Sequence, residues 1–516
     1  MKSEQALLPN SGRDDGTATD RKAEFGKGKP RLKNIDREQM LMRIVDVERL
    51  IPEEHPARAI WELVGKLDLS GYTEKIQALE GVAGRSALSP QLLISLWIYG
   101  YSQGVSSARA IARLCEYAPA YQWLTGTETV SGHTLSTFRA GHEESLKGLF
   151  VQILGLLSAD GLITLERVTQ DGTKIKASAA SDGFRTKERI EEQLKAAREH
   201  IEAVDQVSEE ETSRRVEKAR ERAQRERAER LELALAQFEQ LRAEGSSKDK
   251  VSTTDPEARV MKQPDGGFAP SYNVQITTDA AHKVIVGVGV TQAGNDFNQL
   301  TPGVERVEEN LGRKPEQMVA DGGYVSRDNI VEMAGCGVEF IGPQCDQAGK
   351  GESFYKARGV SLDYYGSAFL YDPATDTYRC PQGKTLSYEG KDERSLEVKF
   401  RYRAALADCQ ACPARGQCCP GNQASGRSVQ RTEKLPEVTE FQEKMKTEAV
   451  REIYRQRSEI AETPNLWIKA KFGLRQFQLR GLRKVGLEAL WLALAYNVRR
   501  WILLRWSVRQ STVVTA

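Results

Sequence analysis

Two aspartates stand where an apolar, strand-like run gives way to glycine. Asp171 lies in Gln170-Asp171-Gly172-Thr173-Lys174, after the runs 162–164 and 167–169; Asp321 lies in Ala320-Asp321-Gly322-Gly323-Tyr324, after Gln317-Met318-Val319. Neighbouring strands of one sheet lie about 4.8 Å apart, so two strand-end carboxylates can converge. Such oxygens suit Mg²⁺ or Mn²⁺. Two of these ions clamp the attacking and leaving oxygens of an in-line phosphoryl displacement. The glycines leave the strand ends open to a phosphate backbone. A third carboxylate is needed, and Glu462 is the candidate. Arg455, Glu462 and Lys469 follow one another at intervals of seven residues, which is one face of a helix. A carboxylate between cations suits a metal ligand flanked by phosphate contacts. An ordinary surface helix gives the same pattern.

A second cluster is made of thiols. Cys380 is followed by Cys409-x2-Cys412 and by Cys418-Cys419. Thiolates at Cys-x2-Cys spacing suit a structural Zn²⁺, and Cys380 with Cys418 or Cys419 completes four ligands. Free buried thiols are the alternative, and the packing role falls to Cys115, Cys336 and Cys345. The five histidines (His55, His133, His142, His200 and His282) pair with no Cys or Asp at triad or ligand spacing, which gives nucleophilic Ser-His or Cys-His catalysis little support.

These residues need elements to hold them. Ser89-Pro90 opens a helix over 91–101, Gln103-Gly104 breaks it, and Ser106-Ser107 opens the next, 108–117. A third helix from Ser131 carries Thr134, Thr137, Phe138 and Arg139. The set reads as a helix-turn-helix DNA reader or as a plain helical bundle. Residues 184–250 hold 16 Lys/Arg and 17 Asp/Glu, the mix of a solvated helix or helical hairpin with a thin seam of Ile190, Leu194, Ile201, Val204, Leu231, Leu235 and Phe238. Alternation and β-branched residues predict strands over 272–279 and 283–290 joined by a turn at Asp279–His282. A helix over 298–311 and a short buried strand, 317–320, follow. Residues 336–430 read as loop-rich, and 437–510 as helical and basic.

A chain of 516 residues is long enough for about three structural units. No run of about 18 apolar residues is free of charge; 487–506 carries Glu488, Asn497, Arg499, Arg500 and Arg505 and reads as a buried helix rather than a membrane span. No signal core opens the chain. Eight cysteines are too sparse for a disulfide scaffold, so a cytoplasmic location is expected.

Taken together, Asp171-Gly-Thr-Lys with Lys176-Ala177, Ala320-Asp321-Gly-Gly-Tyr324, and Tyr454-x2-Arg457 followed by Glu462-x6-Lys469 resemble the three signatures of the DDE transposases of bacterial insertion sequences. The likeness covers about residues 35–510. In the common form Glu stands four residues after the Arg, and here it stands five after Arg457; Glu459, four after Arg455, competes but lacks the Lys seven residues on. The resemblance implies an α/β fold: an RNase H-like mixed sheet with flanking helices, an all-α N-terminal domain, a long charged helical arm and a Cys-containing insertion. It implies a disordered tail (1–34), a helical DNA-binding domain (35–160), the first part of the core (161–335, with the arm at 184–250), the insertion (336–436) and basic C-terminal helices of the core (437–516). It further implies Asp171, Asp321 and Glu462 as ligands of two Mg²⁺, with Mn²⁺ a substitute, and Tyr454, Arg457, Lys469, Arg475 and Arg480 as DNA contacts. The expected partners are double-stranded DNA, both element ends and target, and a second copy in a homo-oligomer, a dimer. The expected place is the nucleoid. A nuclease of the same core that cuts without joining, and an inactive transposase-derived DNA-binding protein, are the alternatives.

Net charge is only +2, which at first sight argues against a nucleic-acid partner. Yet residues 451–516 carry 13 Lys/Arg against 4 Asp/Glu, and the rest of the chain 61 against 68. The positive charge gathers around Glu462 and just after it, where phosphate would be met.

Overall fold

The structure, a computed structural model, describes residues 38, 40, 42, 44–79, 81, 86–206, 214–245, 250–343, 355–392, 398–421, 424–433 and 435–506. The tail expected at 1–34, Cys345 and the side chain of Val204 lie outside the described residues.

Apart from one helical turn at Ser70–Thr73, six helices come first among the described residues: α1 (Pro56–Gly65), α2 (Pro90–Ser102), α3 (Ala108–Tyr117), α4 (Pro119–Thr125), α5 (Gly132–Gly141) and α6 (Glu143–Ala159). Serines open two of them as the sequence predicts: Ser107 accepts from Ala110 N and Ser131 from Thr134 N, each satisfying a donor the first turn leaves orphaned. Ser89 makes no such side-chain bond. Arg139, on the helix read as a possible DNA reader, is buried. It donates to Tyr101 Oη and Ser106 O and lies over the Trp97 ring, so its guanidinium is engaged in the core.

Strand β1 (Arg167–Lys176) runs straight through Asp171-Gly172. The sequence suggests a strand end there, because Asp-Gly favours turns, but every residue from Val168 to Lys176 has a partner on one antiparallel neighbour, and that ladder overrides the local preference. The charged stretch folds as two packed helices, α7 (Lys187–Gln206) and α8 (Arg214–Ala243). Their seam buries Ile190, Leu194, Leu231 and Phe238, with Ile201 and Leu235 at its edge; this is the hairpin form of the two expected.

Next come β2 (Arg259–Lys262), β3 (Phe268–Asp279), β4 (Ile285–Thr291), α9 (Leu300–Leu311), β5 (Gln317–Ala320), α10 (Arg327–Cys336) and β6 (Glu339–Ile341). In the sheet β3 is flanked by β1 on one side and by β2 and β4 on the other, all antiparallel. Beyond β1 lie β5 and then β6, both parallel. Apart from short β2 at the start of β3, three antiparallel strands followed by two parallel ones form the RNase H-like mixed sheet expected.

The insertion is more ordered than its loop-rich sequence suggests. Strands β7 (Leu370–Asp372), β8 (Thr377–Arg379), β9 (Thr385–Asp392), β10 (Val398–Ala404) and β11 (Ser428–Glu433) form an antiparallel meander in chain order. Its own core is small: Phe369, Leu386, Tyr402, Ala404 and Val429.

The chain then returns to the main sheet through α11 (Pro436–Met445), α12 (Glu448–Leu466) and α13 (Leu482–Trp501). Helix α12 packs on β1 and β3, and α13 on β4, α2 and α6. One continuous apolar core therefore joins the first helices, the sheet and the last helix, from Ile51 to Trp506. Buried Glu488 of α13 accepts from Gln478 N and Leu479 N and faces Arg139 at 4.0 Å. No helix among the described residues is long and apolar enough to cross a membrane.

Candidate active site

Asp171 lies within β1, opposite Ile276 of β3, and not at a strand end as the sequence suggests. On the other side of β1, the parallel pairing with β5 stops one residue earlier, at Gln170 and Ala320. Asp321 is the next residue on that strand. The two aspartates thus emerge abreast from adjacent parallel strands. Asp321 Oδ1 accepts from Gly323 N at 2.8 Å, which pins the turn after β5.

A third carboxylate joins them that sequence reasoning missed. Asp296, in the loop between β4 and α9, accepts at Oδ1 from Asn273 Nδ2 (2.7 Å) and Gln275 Nε2 (2.6 Å). Both donors are buried on β3. Gly172 stands opposite Gln275 in the ladder, and its missing side chain is what admits this arrangement. A Cβ there would collide with Asp296 Oδ1 and come within 2.7 Å of Gln275 Nε2. The trace in the sequence is faint: two amides, Asn273 and Gln275, sit in an otherwise apolar strand, and buried amides need partners.

Burial and the neighbouring carboxylates of Asp321 and Asp296 raise the Asp171 carboxyl to about 6, against the opposing pull of Arg457. Arg457 Nη1 lies 4.0 Å from Asp171 Oδ1, and Asn465 Nδ2 donates to Oδ2 at 2.6 Å. Burial pulls the Lys469 ammonium down, and Asp171 opposes that. Burial and the three acids push the Tyr324 phenol well up, so its hydroxyl stays protonated and donates to Gln275 Oε1 at 2.6 Å. The cluster has more acid than base, a surplus that a hard divalent cation relieves, and its oxygens are the donors Mg²⁺ prefers. Among the described residues, no three His, Cys, Asp or Glu side chains already form a closed ligand set.

Helix α12 reaches Asp171 through Arg457 and Asn465. Glu462 is exposed on the same helix and accepts from Ser458 Oγ; it is not among the groups the structure brings against Asp171. Its rival Glu459 pairs with Lys283. Arg455 pairs with Glu448 and Glu452, and Lys469 lies beyond the end of α12, in a wider helical turn at Trp467–Lys471. The face expected to run regularly from Arg455 to Lys469 is therefore interrupted. The Tyr454 ring lies 5.9 Å from the Arg457 guanidinium. The segment after α12 returns alongside β1: Lys176 N donates to Arg475 O and Phe477 N to Lys176 O. Arg475 and Arg480 are exposed there, with Arg480 Nε on Ser178 O. Basic residues thus flank the strand that carries Asp171. In the insertion, Cys380, Cys409, Cys412 and Cys418 line one small cavity together with Cys419.

Comparison with known proteins adds the following. The family model described as a transposase DDE domain matches residues 379–502, and that described as a transposase domain, DUF772, matches residues 45–141. Glu462 and the thiols fall inside the first match; Asp171 and Asp321 fall outside both. Among solved structures, a piggyBac transposase synaptic complex with hairpin DNA, determined by cryo-EM, is similar over 89% of this chain and 75% of that one, at 9% identity and a TM-score of 0.29. No curated protein matches. Two transposase models meet the chain at either end of one continuous core, and together they support a DDE-type transposase of the insertion-sequence kind.

Proposed function

We propose that this transposase cuts DNA at the terminal inverted repeats of its element and joins the freed 3′-OH to target DNA, with Asp171, Asp321 and Glu462 as the catalytic carboxylates. The observation that carries this reading is the pair Asp171 and Asp321, abreast on β1 and β5, with the Asp171 carboxyl raised to about 6 by burial and by its acidic neighbours. The acid surplus and the all-oxygen donor set fit Mg²⁺, or Mn²⁺ in its place. Two such ions would supply activation of the attacking oxygen and stabilisation of the leaving one.

The chain's own groups then have distinct tasks. Asn465 holds one oxygen of Asp171 and leaves the other facing Arg457. Asn273 and Gln275 hold Asp296 by one oxygen, which fixes its side chain beside the pair. Glu462 sits on the helix that already contacts Asp171, and rotation away from Ser458 would bring it into use. Arg457, Lys469, Arg475 and Arg480 offer cations to the phosphates of the bound strand, which position DNA without reading its sequence. Tyr454 offers a ring for stacking on a terminal base.

The test supplies the full chain with Mg²⁺, a labelled element end and a supercoiled target plasmid. Joined product is expected. Cleavage without joining would assign the chain to the nucleases, and binding alone would make it an inactive derivative. The working unit is proposed as a homo-oligomer, a dimer holding both ends; sizing the chain with and without element-end DNA tests that.

A further inference from the structure

We infer that Cys380, Cys409, Cys412 and Cys418 bind one Zn²⁺ ion that staples the insertion together. This inference does not rest on the catalytic reading, because it uses only residues of the insertion.

These four cysteines are separated by up to 38 positions in sequence, yet the fold brings them to one cavity of about 30 Å³. That volume is of the order of a single water or ion. All four are free thiols, and each is only partly exposed. Apolar packing alone rarely gathers so many thiols, and tetrahedral sulfur is the ligand set zinc favours.

The backbone is arranged for thiolates. Lys384 N donates to Cys380 Sγ and Arg427 N to Cys409 Sγ, each at 3.3 Å. Amide N–H groups aimed at sulfur stabilise the charged form that binds metal. The first of these closes a tight turn: Gly383 N donates to Cys380 O, Cys380 N to Lys384 O, and Gly383 takes φ +76°, which glycine adopts without strain. The second pair of ligands comes from a short helix, Leu406–Gln410, with Cys412 one turn on. Arg427 also donates to Cys418 O, so a cation stands beside the cluster. Because no closed ligand set exists among the described residues, binding requires the thiols to turn into the cavity by side-chain rotation.

The meander also needs a staple. Among the described residues its core comprises five buried side chains, few for an independently stable sheet, and small units of this kind are held by metals or disulfides. The turn at Cys380 follows β8, Cys409 and Cys412 follow β10, and Cys418 precedes β11. One ion would therefore tie two connections of the sheet together, the β8–β9 turn and the long β10–β11 connection.

The experiment is metal analysis of the purified full chain, followed by Co²⁺ substitution after chelation. About one zinc per chain is expected, with Co²⁺ giving the visible absorption of a tetrahedral thiolate site. Cys409→Ser and Cys412→Ser should each cut bound zinc at least tenfold, while Cys419→Ser and Cys115→Ser leave it unchanged. Chelated wild type, which needs no variant to fold, should become more sensitive to proteolysis between 370 and 433. Wild type purified without zinc that gives no tetrahedral cobalt spectrum would overturn the inference. So would full zinc content in Cys409→Ser and Cys412→Ser. Loss of zinc in Cys419→Ser but not in Cys418→Ser would overturn the ligand set.

Discussion

Asn465 Nδ2 donates to Asp171 Oδ2 at 2.6 Å. This bond ties α12 to the strand that carries Asp171, the first of the proposed catalytic carboxylates. Partners of this kind orient a metal ligand and set its basicity, and their loss typically costs 10–100-fold in metal affinity or activity. Asn465→Ala should lower single-turnover cleavage by about that factor without weakening DNA binding. Asn465→Asp, which sets another carboxylate against Asp171, should be worse than Ala.

Asp171 carries a pH signature. Its carboxyl is raised to about 6 from the usual 3.8, so the folded state favours the protonated form. The stability this confers on the metal-free chain is fully present below about pH 3.8 and is lost as pH rises through 6. Asp171→Asn keeps the neutral form at every pH. Its metal-free melting temperature should therefore match wild type near pH 4 and exceed it above pH 6, by up to about 3 kcal/mol in stability. Mg²⁺ should raise the melting temperature of wild type and leave that of Asp171→Asn unmoved. Paired thermal scans at pH 4 and pH 7, with and without Mg²⁺, decide it.

Gly172 makes room for Asp296. Gly172→Ala should push Asp296 away from Gln275, cost about 1–3 kcal/mol of stability, and abolish most cleavage. Gly322→Ala is the control: its added Cβ comes no nearer than 3.5 Å to any neighbour. If Gly172→Ala cleaves at the wild-type rate, Asp296 has no place in the site.

Salt separates two groups of basic residues. Neutralising Lys469, Arg475 or Arg480 should flatten the dependence of DNA affinity on salt by about one unit of slope per lost phosphate contact. Arg139→Ala should leave that slope alone and destabilise the fold by about 3–5 kcal/mol, because it strands Glu488 in the core. Salt titrations of binding, run beside thermal melts, distinguish the two.

Much of this was legible in the sequence. Strand and helix periodicities located β3, β4, α9 and β5, and three short signatures brought Asp171, Asp321 and Glu462 together as candidates. What escaped did so for physical reasons. Asp171-Gly172 looks like a turn because local preference is all the sequence displays, whereas the ladder to β3 is long-range. Asp296 carries no local signal; its partners Asn273 and Gln275 lie more than 20 residues away. Arg139 looked available for DNA because its buried partners, Tyr101 and Glu488, belong to distant helices. The meander of the insertion hid because its strands are largely solvent-facing, as in β9, where only Leu386 is buried, so hydrophobic alternation is weak.

The central claim is that Asp171, Asp321 and Glu462 perform the chemistry together. Single-turnover cleavage of a labelled element end, with Mg²⁺ saturating and DNA binding measured in parallel, tests it most directly. Asp171→Asn, Asp321→Asn and Glu462→Gln should each slow cleavage by about 10²–10³ or more while binding DNA as wild type does. Wild-type cleavage by Asp171→Asn or Asp321→Asn would contradict the account, and wild-type cleavage by Glu462→Gln would remove Glu462 from the site.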